Sequence, residues 1–332
     1  ISAQKPPLNA SCSVIILLVS LFVFVRTQND LSIYVWLLCL MTFANAVLIL
    51  PWIKKYIMIL PIREIHFTRH ILPSLALFLP QAASQLYVQC DKVMIKNMIT
   101  NVAYVSYYTE NEKIAKLPII LATALSTVLM PRIAYEFSKG KDGQVREYIQ
   151  KALFSVNFVL IPCCFGLMAV ASNFVPFFLG REFANTYHIL MVLCPTMIFI
   201  GISNVTGIQY LVAVDKKKEL TISYVAALIV NLIINFLLIP RYDACGAAIG
   251  TVVAEGTTAL IQYMYMRKYL GSTIDSKMMW KIVALSALMG VVVYSLNFLR
   301  LSHFITLILQ VILGIVIYGA GIFLLHIFPR RK

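Results

Sequence analysis

Long apolar segments recur along the whole chain, separated by short loops that carry most of the charge. The hydrocarbon core of a bilayer is about 30 Å thick, and a helix of about 20 apolar residues crosses it. The segments here reach that length, and the mean hydropathy of +0.84 lies far above that of soluble domains. A membrane β-barrel would instead show short alternating strands. The sequence therefore predicts an all-α, polytopic membrane helix bundle.

About ten spans can be placed, with boundaries uncertain by about two to four residues. Their ranges are 8–25, 31–50, 70–90, 103–130, 150–172, 187–211, 219–239, 245–266, 279–298 and 302–327. Of the 28 Lys and Arg residues, 20 lie in one alternating set of loops and chain ends, and six lie in the other set. Because positively charged loops stay in the cytoplasm, both termini of this chain are predicted to be cytoplasmic.

The formal net charge of +14 follows from the same distribution. The basic residues are spread over six loops, which favours attraction to anionic membrane lipids over a nucleic-acid surface. The seven cysteines lack the spacing of a zinc site. His66 and His70 have the i, i+4 spacing of a metal pair, but no further ligand is evident near them, and we predict no metal and no cofactor.

A charged cluster interrupts the fourth span in the stretch "YYTENEKIAKLP". It contains Glu110, Glu112, Lys113 and Lys116, about ten residues into the span and therefore near the bilayer midplane. Spacings of three and four residues allow two local ion pairs. The cluster is either a self-neutralising structural element or part of a hydrated cavity, because charges at this depth normally face protein or water.

A polar stripe on the third span favours the cavity. Gln81, Gln85 and Gln89 recur every four residues, with Ser84 beside them and Asp91 at the predicted outer end. Such a stripe has no reason to face lipid, although glutamines also hydrogen-bond neighbouring helices. The third and fourth spans together are expected to line one hydrated lumen.

Other polar residues inside spans are weaker indicators. Asn231 and Asn235 share a face of the seventh span, for which interhelical packing is the preferred interpretation. Glu255 lies in the middle of the eighth span, where a neutral, protonated acid is one possibility. The same span carries a small-residue seam that lets another helix approach closely, formed by Gly246, Gly250 and Ala254.

Three stretches together resemble the polysaccharide repeat-unit flippases of the multidrug/oligosaccharidyl-lipid/polysaccharide exporter superfamily. They are "DKVMIKNMITNVAYVSYYTENEKIAKLPIILATALSTVLMPRI" at 91–133, "NVTGIQYLVAVDKKKEL" at 204–220 and "NLIINFLLIPRYDACGAAIGTVVAE" at 231–255. The resemblance covers most of 70–332. It implies a transporter of the bacterial cytoplasmic membrane that moves undecaprenyl-diphosphate-linked oligosaccharides between leaflets, coupled to an ion gradient, and not an enzyme.

The resemblance also implies a domain organisation. Family members have two six-helix lobes followed by two extra helices. Residues 1–69 would then hold the last two helices of an incomplete first lobe and a cytoplasmic connection, 70–266 the second lobe, and 279–327 the extra pair. The chain begins with Ile1, and we expect it to be a fragment without roughly the first four helices.

On this reading, Lys113 and Lys116 are candidates for binding the diphosphate. The glutamines at 81, 85 and 89 could hydrogen-bond the sugars. Candidates for the coupling ion are the acidic residues Glu110, Glu112, Asp91 and Glu255. The expected partners are the lipid-linked oligosaccharide, membrane lipids and polysaccharide polymerase machinery.

Three alternatives stay open. A drug or other lipid-linked-precursor exporter of the same superfamily would share the architecture. A membrane glycan polymerase or ligase would need catalytic residues in a sizeable outer loop, whereas the longest predicted outer loop, 173–186, holds only Arg181 and Glu182 as charged residues. The third alternative is a truncated protein that transports nothing.

Overall fold

A computed structural model of the chain describes residues 16, 19–27, 30–54, 67–299 and 302–327, with some side chains between 31 and 127 and that of residue 299 left undescribed. Within these ranges the regular structure is helical and contains no strand, which confirms the predicted all-α class. The chain divides into two compact units, residues 1–70 and 71–332.

In the first unit, helix α1 spans Leu31–Lys54 and matches the second predicted span. The first predicted span, 8–25, lies largely outside the described residues.

The polar spans are helices α2, Phe67–Met98, and α3, Ala103–Thr127. Helix α2 continues two turns beyond residue 90, where the third predicted span ends, so Asp91 lies inside the helix rather than at its end. Both Asp91 and Ile95 are fully buried in the extended part. The buried contacts they make keep the chain helical where composition alone indicated a loop.

The short helix α4, Met130–Ser138, leads into the long helix α5, Asp142–Phe178. After a 3₁₀ turn at Arg181–Thr186 come α6, Tyr187–Leu193, and α7, Thr196–Ser203, and a π-helical segment follows at Asn204–Val212. The sixth predicted span, 187–211, is therefore broken: its two arms meet at an angle of 41°. Pro195 lies at the break, where its missing N–H and fixed φ interrupt the helix.

Helix α8 runs over Lys217–Leu270, and a straight helix of its 54 residues would be about 80 Å long. It is instead a hairpin, because Asp243 has non-helical angles, φ 50° and ψ −135°. Gln262 Nε2 donates to Ser223 Oγ across the hairpin at 3.0 Å, although 39 residues separate them. The reversal lies between the seventh and eighth predicted spans.

The predicted small-residue seam closes this hairpin. A Cβ added to Gly246 would lie 2.5 Å from the backbone C and O atoms of Leu238, and one added to Gly250 would collide with Asn235 Oδ1. Ala254 is also fully buried. Only residues without bulky side chains allow the two arms to approach so closely.

The last two helices are α9, Ser276–Ser295, and α10, His303–Leu324. They pack on α5 through two small apolar clusters, in which Met289 and Val293 meet Val170, and Leu285 meets Ile161. The main core lies among α2, α3, α5, α6, α7 and α8.

Four helices in the described part of the chain are long and apolar enough to cross a membrane, namely those at 142–179, 217–270, 276–298 and 303–324, and the bent pair at 181–212 makes a possible fifth. The protein is thus of the multi-pass membrane type. Helices α2 and α3 fall outside this group and carry the glutamine stripe and the charged cluster, whereas Asn231, Asn235 and Glu255 lie on α8.

Candidate functional site

Two ion pairs lie on α3. Lys113 Nζ is 2.7 Å from Glu110 Oε1, and Lys116 Nζ is 2.6 Å from Glu112 Oε1. Residues three and four positions apart are neighbours on a helix surface. The structure therefore contains both local pairs that the sequence allowed.

Helix α2 adds a third lysine that the sequence analysis did not assign to the site. Lys92 Nζ is 3.4 Å from Glu112 Oε2, so Glu112 joins ammonium groups from two helices. Three lysines and two glutamates leave this cluster with one excess positive charge. The signal that could have found Lys92 is its position three residues after Gln89, which continues the polar stripe of α2.

Exposure separates the roles of these charges. The Glu112 side chain is 7% exposed, and a carboxylate buried to that degree needs compensating cations, which Lys92 and Lys116 supply. The Lys113 side chain is 65% exposed, the largest value among the three lysines. Lys113 is thus the cation best placed to bind an anion from outside the bundle.

The polar stripe of α2 also faces outward. Gln85 and Gln89 are exposed, as is Lys96 further along, and Lys92 between them is half-buried. The side chain of Gln81 lies outside the described residues. The stripe meets the charges of α3 at the contact between Lys92 and Glu112, so two neighbouring helices share one polar surface.

Asp91 points the other way, into the core. Asn231 and Asn235 donate from Nδ2 to Asp91 Oδ1 at 2.9 and 2.6 Å, and Tyr108 and Thr251 donate their hydroxyl groups to Oδ2 at 2.8 and 2.7 Å. All five side chains are at most 2% exposed. The asparagines do pack between helices, as expected, and their common partner is this carboxylate.

This buried group is rich in oxygen. Asn235 Oδ1 has no hydrogen-bond partner among the described residues, and Asn231 Oδ1 accepts only from Asn235, at 3.2 Å. Within the described ranges, no three His, Cys, Asp or Glu side chains come together as metal ligands. One carboxylate with neutral oxygens suits a singly charged cation better than a divalent one, which usually takes several carboxylates.

Glu255 lies one turn after Thr251 on α8 and is also buried. Two turns further, Gln262 links three elements: its Oε1 accepts from Ser203 and Thr206 at 3.0 and 3.2 Å, and its Nε2 donates to Ser223. The second arm of α8 therefore carries a line of buried polar groups through the bundle.

The fold has known relatives. A solved structure described as lipid II flippase MurJ in an inward closed conformation covers 94% of this chain with a TM-score of 0.76 at 22% identity, and the match takes in 65% of that structure. A likeness at this identity shows the shared fold.

Two curated relatives match parts of the chain. The lipid II flippase MurJ of Bacillus subtilis is 26% identical over 187 residues, 55% of this chain and 34% of the relative. The capsular polysaccharide biosynthesis protein CapF of Staphylococcus aureus is 25% identical over 152 residues, 45% of this chain and 37% of the relative. The chain thus spans little more than a third of the length of either protein.

The family model described as lipid II flippase MurJ matches residues 6–315. This match confirms the resemblance to lipid flippases. With nearly its whole length matched, the chain belongs to the MurJ family of lipid flippases.

Proposed function

We propose that this protein moves an oligosaccharide, linked through a diphosphate to a polyprenyl lipid, from the inner to the outer leaflet of a bacterial cytoplasmic membrane. The observation that carries the proposal is the excess positive charge on the shared face of α2 and α3, where Lys113 is accessible beside the bridge of Lys92, Glu112 and Lys116. A diphosphate and sugars cannot enter hydrocarbon unaided.

Each part of the cargo has a matching surface. Lys113, assisted by Lys116, binds the diphosphate through charge-assisted hydrogen bonds. Gln85 and Gln89 hydrogen-bond the sugars along the same face, with Gln81 extending the stripe, while the lipid tail stays in the bilayer. The relatives named for lipid II and for capsular polysaccharide support a lipid-linked saccharide as the cargo class. Polysaccharide polymerase machinery would consume the exported unit.

A drug exporter is the weaker candidate. Such a protein would favour acidic and aromatic residues on the exposed face, whereas this face carries more lysines than glutamates.

We further propose that Asp91 holds the coupling ion and that this ion is a monovalent cation. Its carboxylate lies among uncharged groups, whereas Glu110 and Glu112 are already neutralised by lysines. Polar residues buried in transporter helices commonly hold coupling ions. Glu255 lies on α8 one turn after Thr251, which donates to Asp91, and is a second buried acid on the same path.

The function is tested by export of the lipid-linked glycan in a version of the protein extended to the length of its curated relatives. Lys113→Gln keeps hydrogen bonding but removes the charge, and we expect export to fall by at least about tenfold, the effect of losing one charge-assisted hydrogen bond. Lys218→Gln, an equal change at an exposed position in the first turn of α8, should leave export unchanged.

A double variant distinguishes substrate binding by Lys113 from a purely structural role of the Glu110–Lys113 ion pair. Glu110→Gln with Lys113→Gln removes both charges together and leaves no unpaired glutamate. Normal membrane abundance with lost export supports the proposal, whereas normal export by this double variant contradicts it.

A further inference from the structure

A separate cavity of about 430 Å³ lies between the first turns of α5 and α9, away from the polar face of α2 and α3. Pockets for small ligands usually measure about 300–1,000 Å³. Its apolar wall is formed by Leu153, Phe154, Met278, Met279 and Ile282.

The rim of this cavity is polar and carries both signs of charge. Lys151 Nζ lies 2.7 Å from Glu147 Oε1, and both side chains are more than half exposed. Asp275 caps α9, with its Oδ1 accepting from the backbone N–H groups of Lys277 and Met278 at 3.1 and 3.3 Å. Both bonds use Oδ1, which leaves Oδ2 for a donor in the cavity. Two carboxylates and one ammonium give the rim a formal charge of −1.

Thr273 provides an independent indication of a ligand. It lines the cavity, its side chain is 3% exposed, and its Oγ1 has no hydrogen-bond partner among the described residues. A buried hydroxyl without a partner costs about 1–3 kcal/mol. A polar group of a bound molecule would remove that cost.

The position of the cavity indicates where such a molecule comes from. Both helices begin in loops predicted to be cytoplasmic, and their predicted spans start at 150 and 279, within the cavity wall. A polar rim above an apolar wall at this level matches the boundary between lipid headgroups and hydrocarbon.

We propose that this cavity binds a phospholipid of the cytoplasmic leaflet whose headgroup joins a phosphate to a primary ammonium, as in phosphatidylethanolamine. The phosphate pairs with Lys151, and the ammonium pairs with Asp275 and Glu147, so that a neutral headgroup meets a rim with an excess of negative charge. An anionic headgroup would leave the two carboxylates opposed to it. The acyl chains follow the apolar wall toward Ile282.

The test is native mass spectrometry of the purified 332-residue chain in detergent, with phosphatidylethanolamine, phosphatidylglycerol and phosphatidylcholine of identical acyl chains added in turn. We expect phosphatidylethanolamine to be retained about tenfold more tightly than phosphatidylglycerol, the difference made by one charge-assisted hydrogen bond. Equal retention of all three lipids, or a preference for phosphatidylglycerol, would overturn the proposal.

Substitutions at the rim test whether the preference for phosphatidylethanolamine arises in this cavity. Asp275→Asn keeps a residue that caps helices equally well and removes only the charge. Combined with Glu147→Gln, it should abolish the preference, while Glu182→Gln at the exposed turn after α5 should retain it. A preference that survives in the double variant, at an unchanged unfolding temperature, would place the lipid elsewhere and contradict the proposal.

A competition experiment tests whether the acyl chains are needed. Soluble phosphoethanolamine should not displace the lipid, because it lacks the chains that the apolar wall requires. Displacement would show a headgroup site without lipid selectivity and would also contradict the proposal.

Discussion

At the scale of single residues, the buried carboxylate of Asp91 makes the sharpest prediction. If its surrounding oxygens hold a monovalent cation, that cation stabilises the folded chain, by about 2.7 kcal/mol at 100 times its dissociation constant. We expect the unfolding temperature of the purified chain to rise on the order of 5 °C when Na⁺ or K⁺ replaces choline at constant ionic strength. Differential scanning fluorimetry measures this shift.

Asp91→Asn should remove the rise, since it keeps the shape of the side chain and removes the charge. Asp215→Asn is the matched control, because Asp215 is 79% exposed and lies 2.8 Å from Lys217 outside the core. The same cation-dependent rise in Asp91→Asn, or no rise in the unsubstituted chain, would count against a cation at this residue.

The residue scale also shows what sequence alone could provide. The pairs of Glu110 with Lys113 and of Glu112 with Lys116 need only a helix, so their spacing predicts them. The partners of Asp91 lie 17 to 160 residues away along the chain and come together only through tertiary packing. The spacing therefore placed Asp91 beside the polar stripe but could not show that it is the centre of a buried cluster. It also did not reveal the ion pair between Lys92 and Glu112.

At the scale of helices, the hairpin of α8 depends on its glycine seam. A Cβ at Gly246 would lie 2.5 Å from backbone atoms of Leu238, which cannot rotate away as a side chain can. We expect Gly246→Ala to lower the free energy of unfolding by about 1–3 kcal/mol or more, the usual cost of overpacking. Urea titration in detergent, followed by tryptophan fluorescence, measures the change.

Gly319 in α10 is the matched control, because a Cβ there meets nothing within 4 Å. Gly319→Ala should be neutral or stabilise the protein by up to about 1 kcal/mol through helix propensity. Equal effects of the two substitutions would show that close approach at the seam does not hold the hairpin together.

Some helix ends and breaks could be predicted from the sequence, and others could not. The gap around "RYDACG" separated two apolar segments, and the chain does reverse there at Asp243. The break near Pro195 and the π-helical segment after it were not predicted, because hydrophobicity is continuous through 187–211 while the backbone geometry is not. Helix α2 extends beyond its apolar segment because residues in its last turns, Asp91 and Ile95, are buried.

At the scale of the whole molecule, composition was sufficient for the class. Repeated apolar segments and short basic loops predicted a multi-pass helical membrane protein, and the family match agrees. The arrangement of two lobes stays a prediction, as does the cytoplasmic position of both termini. Alternating access requires two lobes that move against each other around a polar site. We propose that this site is the polar face shared by α2 and α3.

The most direct test of this account is the water accessibility of Lys113 in intact membranes. Lys113→Cys should react rapidly with a membrane-impermeant maleimide, above the background of the native cysteines, and added lipid-linked glycan should slow the reaction. Ile229→Cys, at a position of α8 that is 53% exposed and apolar, reports lipid contact and should stay unlabelled. Labelling of Lys113→Cys no faster than that of Ile229→Cys would contradict a hydrated path along α2 and α3.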